Sequence, residues 1–486
     1  MPLMNSSSEL SPSSSPEVLA VDLDGTLVAT DTLHEMSLQI LRQRPSALVR
    51  MPFWLLKGRA YLKEKIAETV SLKVETLPYH QELLSWLREQ KKLGRKLVLC
   101  TAAHEKVAQS VADHLGIFDR VVATRNGVNN SSSTKAKALT EAFGHKAFDY
   151  VGNSSADLAV WAASHQAVPV NASEGVLKKV REQGRFEVSF PRKRVQLKTW
   201  AKVLRVHHYL KNILIFVPLL TAQQLFAPQH YLAVMAAFAA FCLCASGVYV
   251  SNDLLDLMND REHPRKRFRP FAQGDVPLWQ GIALLPFLFV SSFVLASVVS
   301  PWFTAWLGVY LAATVAYSTW LKRLVLVDCL VLAGLYTLRI VAGAAAIGVA
   351  LSFWLLAFSI FVFLSLAFLK RYVELLSLQS TGKIEAIGRG YKTADLPVIQ
   401  SLGVSAGYAS VLVYALYIHN EAVVRLYARP DFLWLGVPLL IYFVSWLWLK
   451  ANRGEVLDDP VVFALKDRTS LCLGVVLLVA FVVASV

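Results

Sequence analysis

The sequence predicts two domains of different class. The first is an N-terminal α/β, Rossmann-like domain with a helical cap; the second is a C-terminal all-α, polytopic membrane domain of about nine transmembrane helices. Three observations predict this. The chain has 486 residues, too many for one ordinary domain. Hydrophobic residues make up 55% and charged residues only 17%, with a mean hydropathy of +0.44, which is membrane-protein composition. The apolar residues are also unevenly arranged, in short runs before about residue 190 and in bilayer-length spans after about residue 212.

In the first half, the runs VLAVDL, KLVLCTA, RVVAT, FDYVGN and QAVPVN alternate with helical stretches, as in a parallel sheet covered by helices. This domain is expected over 17–190. A longer, mostly helical segment, about 31–90, interrupts the first strand–helix unit as a cap over an active site would. Its MPFWLL patch is suited to rest on a membrane or on the second domain. The leading residues 1–16 are polar and Ser-rich without an apolar core, and read as a disordered lead rather than a signal peptide.

A basic, aromatic interfacial linker, 191–211, leads into the membrane domain at 212–486. Spans are expected near 212–228, 230–250, 278–299, 302–318, 325–349, 352–369, 399–419, 431–449 and 470–486. With the N-terminus inside, one set of loops carries Arg261, Arg265, Lys266, Arg267, Arg269, Lys322, Arg323, Lys370, Arg371, Lys383, Arg389, Lys392, Lys450, Arg453, Lys466 and Arg468. The opposite loops carry Arg425 and Arg429. That asymmetry is positive-inside, and places the N-terminal domain and the motifs below on the cytoplasmic side of a bacterial-type inner membrane. The net charge of +14 is largely accounted for in this way, so no nucleic-acid partner is expected. Five cysteines, Cys100, Cys242, Cys244, Cys329 and Cys472, have neither metal-ligand nor disulfide-framework spacing.

Asp22-Leu23-Asp24-Gly25-Thr26 follows the strand VLAV. A carboxylate at a strand end with a second two residues on suits covalent phosphoryl transfer, Asp22 as nucleophile and Asp24 as general acid and base. Gly25 permits a tight turn near the phosphate. Thr101 ends the next strand and can hydrogen-bond a phosphate, and Lys135, with Lys137 as a near alternative, can offset developing charge. Asn153 and Asp157, in GNSSAD after another strand, supply metal-side oxygens. In this order the motifs resemble the haloacid dehalogenase superfamily over roughly 17–180. The resemblance implies Mg²⁺-dependent phosphomonoester hydrolysis through an aspartyl phosphate on Asp22. Asn153 stands where that family usually has a metal-binding Asp, and an amide brings no charge to the ion. An active phosphatase and a scaffolding domain both remain open at this point.

Residues 252–270 read NDLLDLMNDREHPRKRFRP. Asp253, Asp256 and Asp260, at spacings of three and four, are expected on one helical face. Their hard oxygens, with Asn252 beside them, favour Mg²⁺. His263, Arg265, Lys266, Arg267 and Arg269 follow and suit phosphate oxygens. Metal ligands and arginines beside an apolar span point to diphosphate chemistry at a membrane surface.

About nine spans with an Asp-rich loop after the second resemble the UbiA superfamily of intramembrane prenyltransferases, over about 195–486. The resemblance implies that the NDxxDxxxD motif binds Mg²⁺ and diphosphate. The usual second motif, DxxxD after the sixth helix, is absent. Its loop offers Lys370-Arg371-Tyr372-Val373-Glu374 and Gly388-Arg389-Gly390-Tyr391-Lys392, which suits fewer metals and more phosphate. Arg205, the run His207-His208-Tyr209-Leu210-Lys211-Asn212 and the run HPRKRFRP resemble the decaprenyl-phosphate phosphoribosyltransferase branch. That branch implies phosphoribosyl diphosphate as donor and polyprenyl phosphate as acceptor. Lys211, Lys370, Arg371 and Lys392 are candidate phosphate clamps, each equally able to mark a helix end at the interface. Asp328 and Arg339, eleven residues apart, are expected to pair with other helices or line a cavity.

The expected function is therefore a Mg²⁺-dependent transfer of phosphoribose to a polyprenyl phosphate, followed by removal of the 5-phosphate by the attached domain. One alternative is prenyl transfer from a prenyl diphosphate to an aromatic or isoprenoid acceptor. A second is a membrane scaffold or transporter with a regulatory phosphatase-like domain.

Overall fold

A computed structural model describes residues 16–182, 188–191, 195–222, 224, 227–382, 384–385, 389–421, 427–456, 460–464 and 466–485. The expected polar lead lies almost wholly outside these residues, as do 192–194 of the linker and Lys383, Gly388 and Arg425 of the loops.

The chain divides into two compact units, 1–204 with 249–285, and 205–248 with 286–486. The Asp-rich segment thus groups with the N-terminal residues, whereas the sequence placed it wholly in the membrane domain.

In the first unit, β1 (Val18–Val21), β2 (Lys96–His104), β3 (Arg120–Thr124), β4 (Phe148–Gly152) and β5 (Ala167–Pro169) form a parallel sheet in the order β3-β2-β1-β4-β5. Alternation along β1 explains why helices cover both faces. Leu19 and Val21 enter one core with Leu97 and Leu99, while Val18 and Ala20 enter the other with Val98, Phe148 and Tyr150. The strand order reverses between β1 and β4, so Asp22 and the 153–157 turn leave adjacent strand ends at the switch point, where ligands bind in open α/β sheets.

Helix α1 (Thr32–Gln43) starts with Asp31, whose side chain accepts from the His34 N–H. It packs with the helix Arg59–Thr69 around Met36, Ile40, Leu62 and Ile66. This cap closes earlier than expected. The helix Gln81–Lys92 turns Leu83, Leu84 and Leu87 into the sheet's own core instead. The MPFWLL residues form a short helix, Met51–Leu56, that leaves Phe53, Leu55 and Leu56 exposed.

Among the described residues, seven helices are long and apolar enough to cross a membrane. They are Pro228–Leu255, Leu278–Val299, Val327–Ile347, Phe353–Ser380, Thr393–His419, Pro430–Asn452 and Arg468–Ser485; the interrupted pair Leu197–Val203 and Val206–Thr221 makes an eighth. The remaining expected span falls on Pro301–Thr319, where two Trp, two Tyr and three Thr lower the hydropathy. The protein is a multi-pass membrane protein. One core of its second unit gathers Ile215, Phe241, Phe303, Leu307 and Tyr310, and another Phe368, Tyr372, Tyr391 and Trp448.

Candidate active sites

At the carboxyl end of β1, Asp22 is buried and its Oδ1 accepts from Lys135 Nζ at 2.8 Å. Lys135 comes from the helix Ser133–Phe143 and also donates to the Tyr150 hydroxyl at 2.8 Å. Tyr150 was not singled out in the sequence. The signal was a tyrosine in a buried strand, whose hydroxyl needs a polar partner. That partner is Asp157 Oδ1, at 2.8 Å.

Asp157 is expected to bind metal, but the structure gives its oxygens other work. Oδ1 also faces Lys135 at 3.5 Å, while Oδ2 accepts from the Asn153 and Ser154 N–H groups and the Ser154 hydroxyl at 3.0–3.2 Å. Five donors on one carboxylate exhaust its lone pairs, so Asp157 holds the turn and the lysine. Asn153 lies over Gly25. A Cβ there would meet Asn153 Nδ2 at 2.1 Å, and Gly25 has φ +73°. Only glycine allows this approach.

Asp24 Oδ1 accepts from the Thr32 N–H at 2.8 Å, which ties the loop to the start of α1. Thr101 is buried within β2, two residues past the level where β1 ends, and its hydroxyl accepts from the Ala103 N–H at 3.0 Å. From the cap, Lys63 reaches down to donate to Ala102 O at 2.6 Å and Asn129 Oδ1 at 2.8 Å. No sequence motif marks Lys63; only the fold of the cap brings it here.

Burial raises the Asp22 carboxyl to about 6 against the pull of Lys135. Burial, then the charges of Asp31 and Asp22, raises Asp24 to about 8. Burial alone would discharge Lys135, but Asp22 and Asp157 hold its pKa well above the usual value. Burial lowers that of Lys63, against Asp24 and Asp31. Two carboxylates that resist ionisation, Asp22 buried and Asp24 half-buried, form a donor set short of positive charge.

In the second centre, the Asp-rich run is not one continuous helical face. The helix Tyr231–Leu255 stops and Leu257–Glu262 starts on either side of Asp256, which has φ −94° and ψ 9°. Asp253 and Asp260, both buried, converge on one nitrogen of Arg269 at 3.0 and 2.5 Å. Asp256 turns instead toward Arg42 of α1, at 3.4 Å. Burial raises the Asp260 pKa, opposed by Arg269. His263 Nδ1 accepts from the Arg265 and Lys266 N–H groups at 3.2 and 3.3 Å and so shapes the basic turn. Arg265, Lys266 and Arg267 are exposed, and Asn252 is half-buried.

The other expected clamps lie in the second unit. Arg371 is wholly buried; it pairs with Asp328 at 2.5 Å and with Glu374, which also pairs with Arg389. Tyr391 donates to Asp328 at 2.5 Å. Arg371 is therefore removed from the exposed clamps, because two carboxylates already occupy its guanidinium. Asn212 is also engaged: its oxygen accepts from Arg339 Nε at 2.9 Å, and Arg339 reaches the Tyr310 hydroxyl at 3.1 Å. Asp328 and Arg339 thus pair with other helices and not with each other. Lys211 is buried, with its ammonium 5.7 Å from the centre of the Tyr336 ring. Lys370 is half-buried, whereas Lys392 is exposed and pairs with Glu385 at 3.4 Å.

Among the described residues, no three His, Cys, Asp or Glu side chains gather closely enough to hold a metal ion. Asn153 and the engaged Asp157 account for this in the first centre, and the turn at Asp256 in the second. Mg²⁺ ordinarily takes one or two protein carboxylates together with water and substrate phosphates. Asp22 with Asp24, and Asp253 with Asp260, still fit that requirement.

A multi-pass membrane protein with an Asp- and Arg-rich turn after an apolar helix, joined to a Rossmann-like lobe with paired aspartates, has the make-up of a membrane transferase carrying a hydrolase-like lobe. More particularly, residues 213–466 match the UbiA prenyltransferase family, and this chain belongs to it. Residues 19–161 match the haloacid dehalogenase-like hydrolases. The uncharacterized protein y4nM of Sinorhizobium fredii is 37% identical over 469 residues, 96% of this chain and 90% of that one. The decaprenyl-phosphate phosphoribosyltransferase of Mycolicibacterium smegmatis is 33% identical over 277 residues, 55% of this chain and 86% of that one. A UbiA homolog from Archaeoglobus fulgidus, solved with GPP and Mg²⁺, is 15% identical, covers 59% of this chain and all of that one, and has a TM-score of 0.45.

Proposed function

We propose that this membrane transferase moves phosphoribose from phosphoribosyl diphosphate to a polyprenyl phosphate, and that its N-terminal lobe then removes the 5-phosphate. The observation that carries this reading is the match at 33% identity to a decaprenyl-phosphate phosphoribosyltransferase over 86% of that protein's length. The exposed turn at Arg265, Lys266 and Arg267 supports it, because a substrate pair with several phosphates needs several cations. So does a cavity of about 380 Å³ in the helical unit, lined mostly by apolar groups such as Pro218, Leu355, Phe358, Leu477 and Phe481, which suits an isoprenoid chain.

In the transfer step, an oxygen of the lipid phosphate attacks the anomeric carbon of the donor. The bond from that carbon to the diphosphate breaks, and diphosphate leaves with its electron pair. A phosphate monoester is already anionic near neutral pH, so no strong base is needed. Arg265, Lys266, Arg267 and Arg269 hold the phosphates, and binding aligns the two reacting centres. Asp253, Asp260 and, from the turn, Asp256 would hold Mg²⁺, with Asn252 beside them; the ion supplies charge neutralisation to the leaving diphosphate.

In the hydrolytic step, Asp22 attacks phosphorus and Asp24 gives its proton to the leaving ribose oxygen. Water then attacks the aspartyl phosphate, with Asp24 taking the proton back. Lys135 and Thr101 stabilise the phosphoryl oxygens, and Asp22, Asp24 and Asn153 would hold Mg²⁺ here. Both sites face the cytoplasm in this reading, on the side where the basic loops fall. Because the intermediate is tethered to lipid, an attached phosphatase raises its effective encounter rate.

The test is incubation of the purified full-length protein with labelled phosphoribosyl diphosphate and polyprenyl phosphate, with products identified by mass. A lipid bearing phosphoribose or ribose supports the reading. Transfer from a prenyl diphosphate alone replaces it with prenyl transfer.

A further inference from the structure

The residues Glu35 and Arg261 lie 226 positions apart and form a two-toothed ion pair, with Nη1 to Oε2 at 2.8 Å and Nη2 to Oε1 at 2.6 Å. Side-chain exposure is 0% for Glu35 and 4% for Arg261, so water screens neither. The third guanidinium donor, Nε, reaches Ala272 O at 3.0 Å. Each of the three guanidinium nitrogens of Arg261 is therefore engaged, and Arg261 is the residue next to Asp260.

Glu35 lies in α1, whose two ends are also engaged. At its start, the Thr32 N–H donates to Asp24 of the hydrolytic centre. In its last turn, Arg42 donates to Leu255 O at 3.3 Å and faces Asp256 Oδ1 at 3.4 Å. The Asn259 carboxamide, with its oxygen toward Arg42, accepts from both terminal nitrogens at 3.2 and 2.7 Å. Around this contact Lys73 pairs with Glu262 at 2.5 Å, and Gly274 packs so closely on Ala29 that a Cβ would meet it at 2.7 Å. A twelve-residue helix is a rod roughly 18 Å long.

A buried ion pair is weak evidence for stability, because desolvation offsets most of the attraction. Two surfaces needing only to adhere are served as well by apolar side chains. What the bidentate fork adds is orientation: it fixes the angle at which the helix Leu257–Glu262 leaves the turn at Asp256. That angle decides whether Asp260 stands beside Asp253.

We propose that α1, an element of the phosphatase-like lobe, is part of the transferase site: Glu35, through Arg261, is a positioning residue for Asp260, and Arg42 is one for Asp256. The proposal rests on the reading of the Asp-rich run as the site for Mg²⁺ and diphosphate. The lobe thereby contributes to transfer through its structure, independently of its own chemistry.

The experiment uses the full-length protein in detergent, with inorganic diphosphate and Mg²⁺ as the calorimetric probe and with donor kinetics measured alongside. Removing a partner that orients a ligating carboxylate weakens metal binding roughly 10- to 100-fold. Glu35→Gln is expected to weaken diphosphate binding and raise the half-saturating Mg²⁺ to that extent. Donor KM should rise more than kcat falls. Glu35→Asp, which keeps the charge on a shorter stem, should fall between. The exchange of Glu35→Arg with Arg261→Glu should recover part of the affinity. Arg42→Ala, at a half-exposed position, should raise the Mg²⁺ requirement with an unchanged Tm, and it decides the question if Glu35→Gln does not fold. Wild-type diphosphate affinity in folded Glu35→Gln, or in Arg42→Ala when the former is unfolded, overturns the proposal. A wild-type protein that neither binds Mg²⁺-diphosphate nor transfers overturns the underlying reading of the site instead.

Discussion

Arg371 and Asp328 face each other at 2.5 Å with neither side chain exposed, and Tyr391 completes the carboxylate's shell from a third segment. A lysine–arginine pair at a helix end reads in sequence as a phosphate clamp, yet this arginine points into the bundle. The two charges must be buried together, since either one alone in an apolar interior is strongly unfavourable. Arg371→Met should therefore destabilise the protein by about 3–5 kcal/mol, the cost of leaving a buried partner unpaired. The double variant with Asp328→Leu should lose less than the sum of the singles. Thermal unfolding of the four proteins in one detergent measures the difference; additive losses would show that the pair is not coupled.

Asp253 and Asp260 share a single guanidinium nitrogen of Arg269. Two carboxylates that close on one cation already have the spacing to share a smaller one, with Arg269 turning to the diphosphate. Asp260→Asn removes one hard anionic ligand. It should reduce transfer at least about a hundredfold, since several kcal/mol of leaving-group stabilisation are at stake. Membrane insertion and Tm should change little, because the amide can still accept from Arg269. Near-normal turnover would take Asp260 out of the mechanism.

The donor is expected to be a ribosyl rather than an allylic diphosphate. Lys370, inside the helix Phe353–Ser380, and Lys392, in the segment after it, stand where a second pair of aspartates would serve an allylic donor, and the 265–267 turn adds three exposed cations. Competition measures this directly. Phosphoribosyl diphosphate should displace labelled inorganic diphosphate at lower concentration than geranylgeranyl diphosphate does. The reverse order would favour prenyl transfer.

The α/β fold was legible because its strands are short apolar runs, and Asp22 and Asp24 could be placed from the end of the first, whereas Lys135 comes from the helix Ser133–Phe143 and had Lys137 as an alternative. The membrane spans were legible from length and composition, apart from the aromatic helix Pro301–Thr319. What could not be read were pairings made through space. Nothing in the order of residues says that Glu35 meets Arg261, or that Tyr150 and Lys135 take up the oxygens of Asp157. The spacing of Asp253, Asp256 and Asp260 predicted one face. A non-helical conformation at Asp256 gave that residue a different partner, and local periodicity does not record such a turn.

Lys63 offers a test of the cap. Its ammonium is held by Ala102 O and Asn129 above the hydrolytic centre, and its pKa is lowered chiefly by burial. A partly desolvated cation there suits an anionic or hydroxyl-bearing substrate. Lys63→Met should raise KM for a sugar phosphate about tenfold, roughly the value of one charge-assisted hydrogen bond. It should leave kcat within a factor of about three. An equal fall in kcat and kcat/KM would place Lys63 in the transition state instead.

The last expectation concerns the hydrolytic lobe. Asp22 at the end of β1 is paired with Lys135, Asp24 stands two residues on and Thr101 lies on the neighbouring strand, so the covalent route is open, while Asn153 leaves the metal side one charge short. Hydrolysis by the natural protein should therefore be slow and need high Mg²⁺. Asp22→Asn should abolish it, so that the lipid product keeps its 5-phosphate and is heavier by one phosphate in the mass spectrum. Asn153→Asp is nearly isosteric and fits over Gly25 as the amide does. It adds a negative charge beside two carboxylates, which attracts a divalent cation more strongly, and it should lower the half-saturating Mg²⁺ on the order of tenfold. In the absence of Mg²⁺ the same charge should destabilise the lobe near neutral pH, chiefly by repulsion from ionised Asp22, since Asp24 is held largely protonated, so the gain in Tm on adding Mg²⁺ should be larger in the variant than in the wild type. If neither protein hydrolyses lipid-linked 5-phosphoribose or small sugar phosphates, and Mg²⁺ raises the Tm of neither, the lobe is a scaffold.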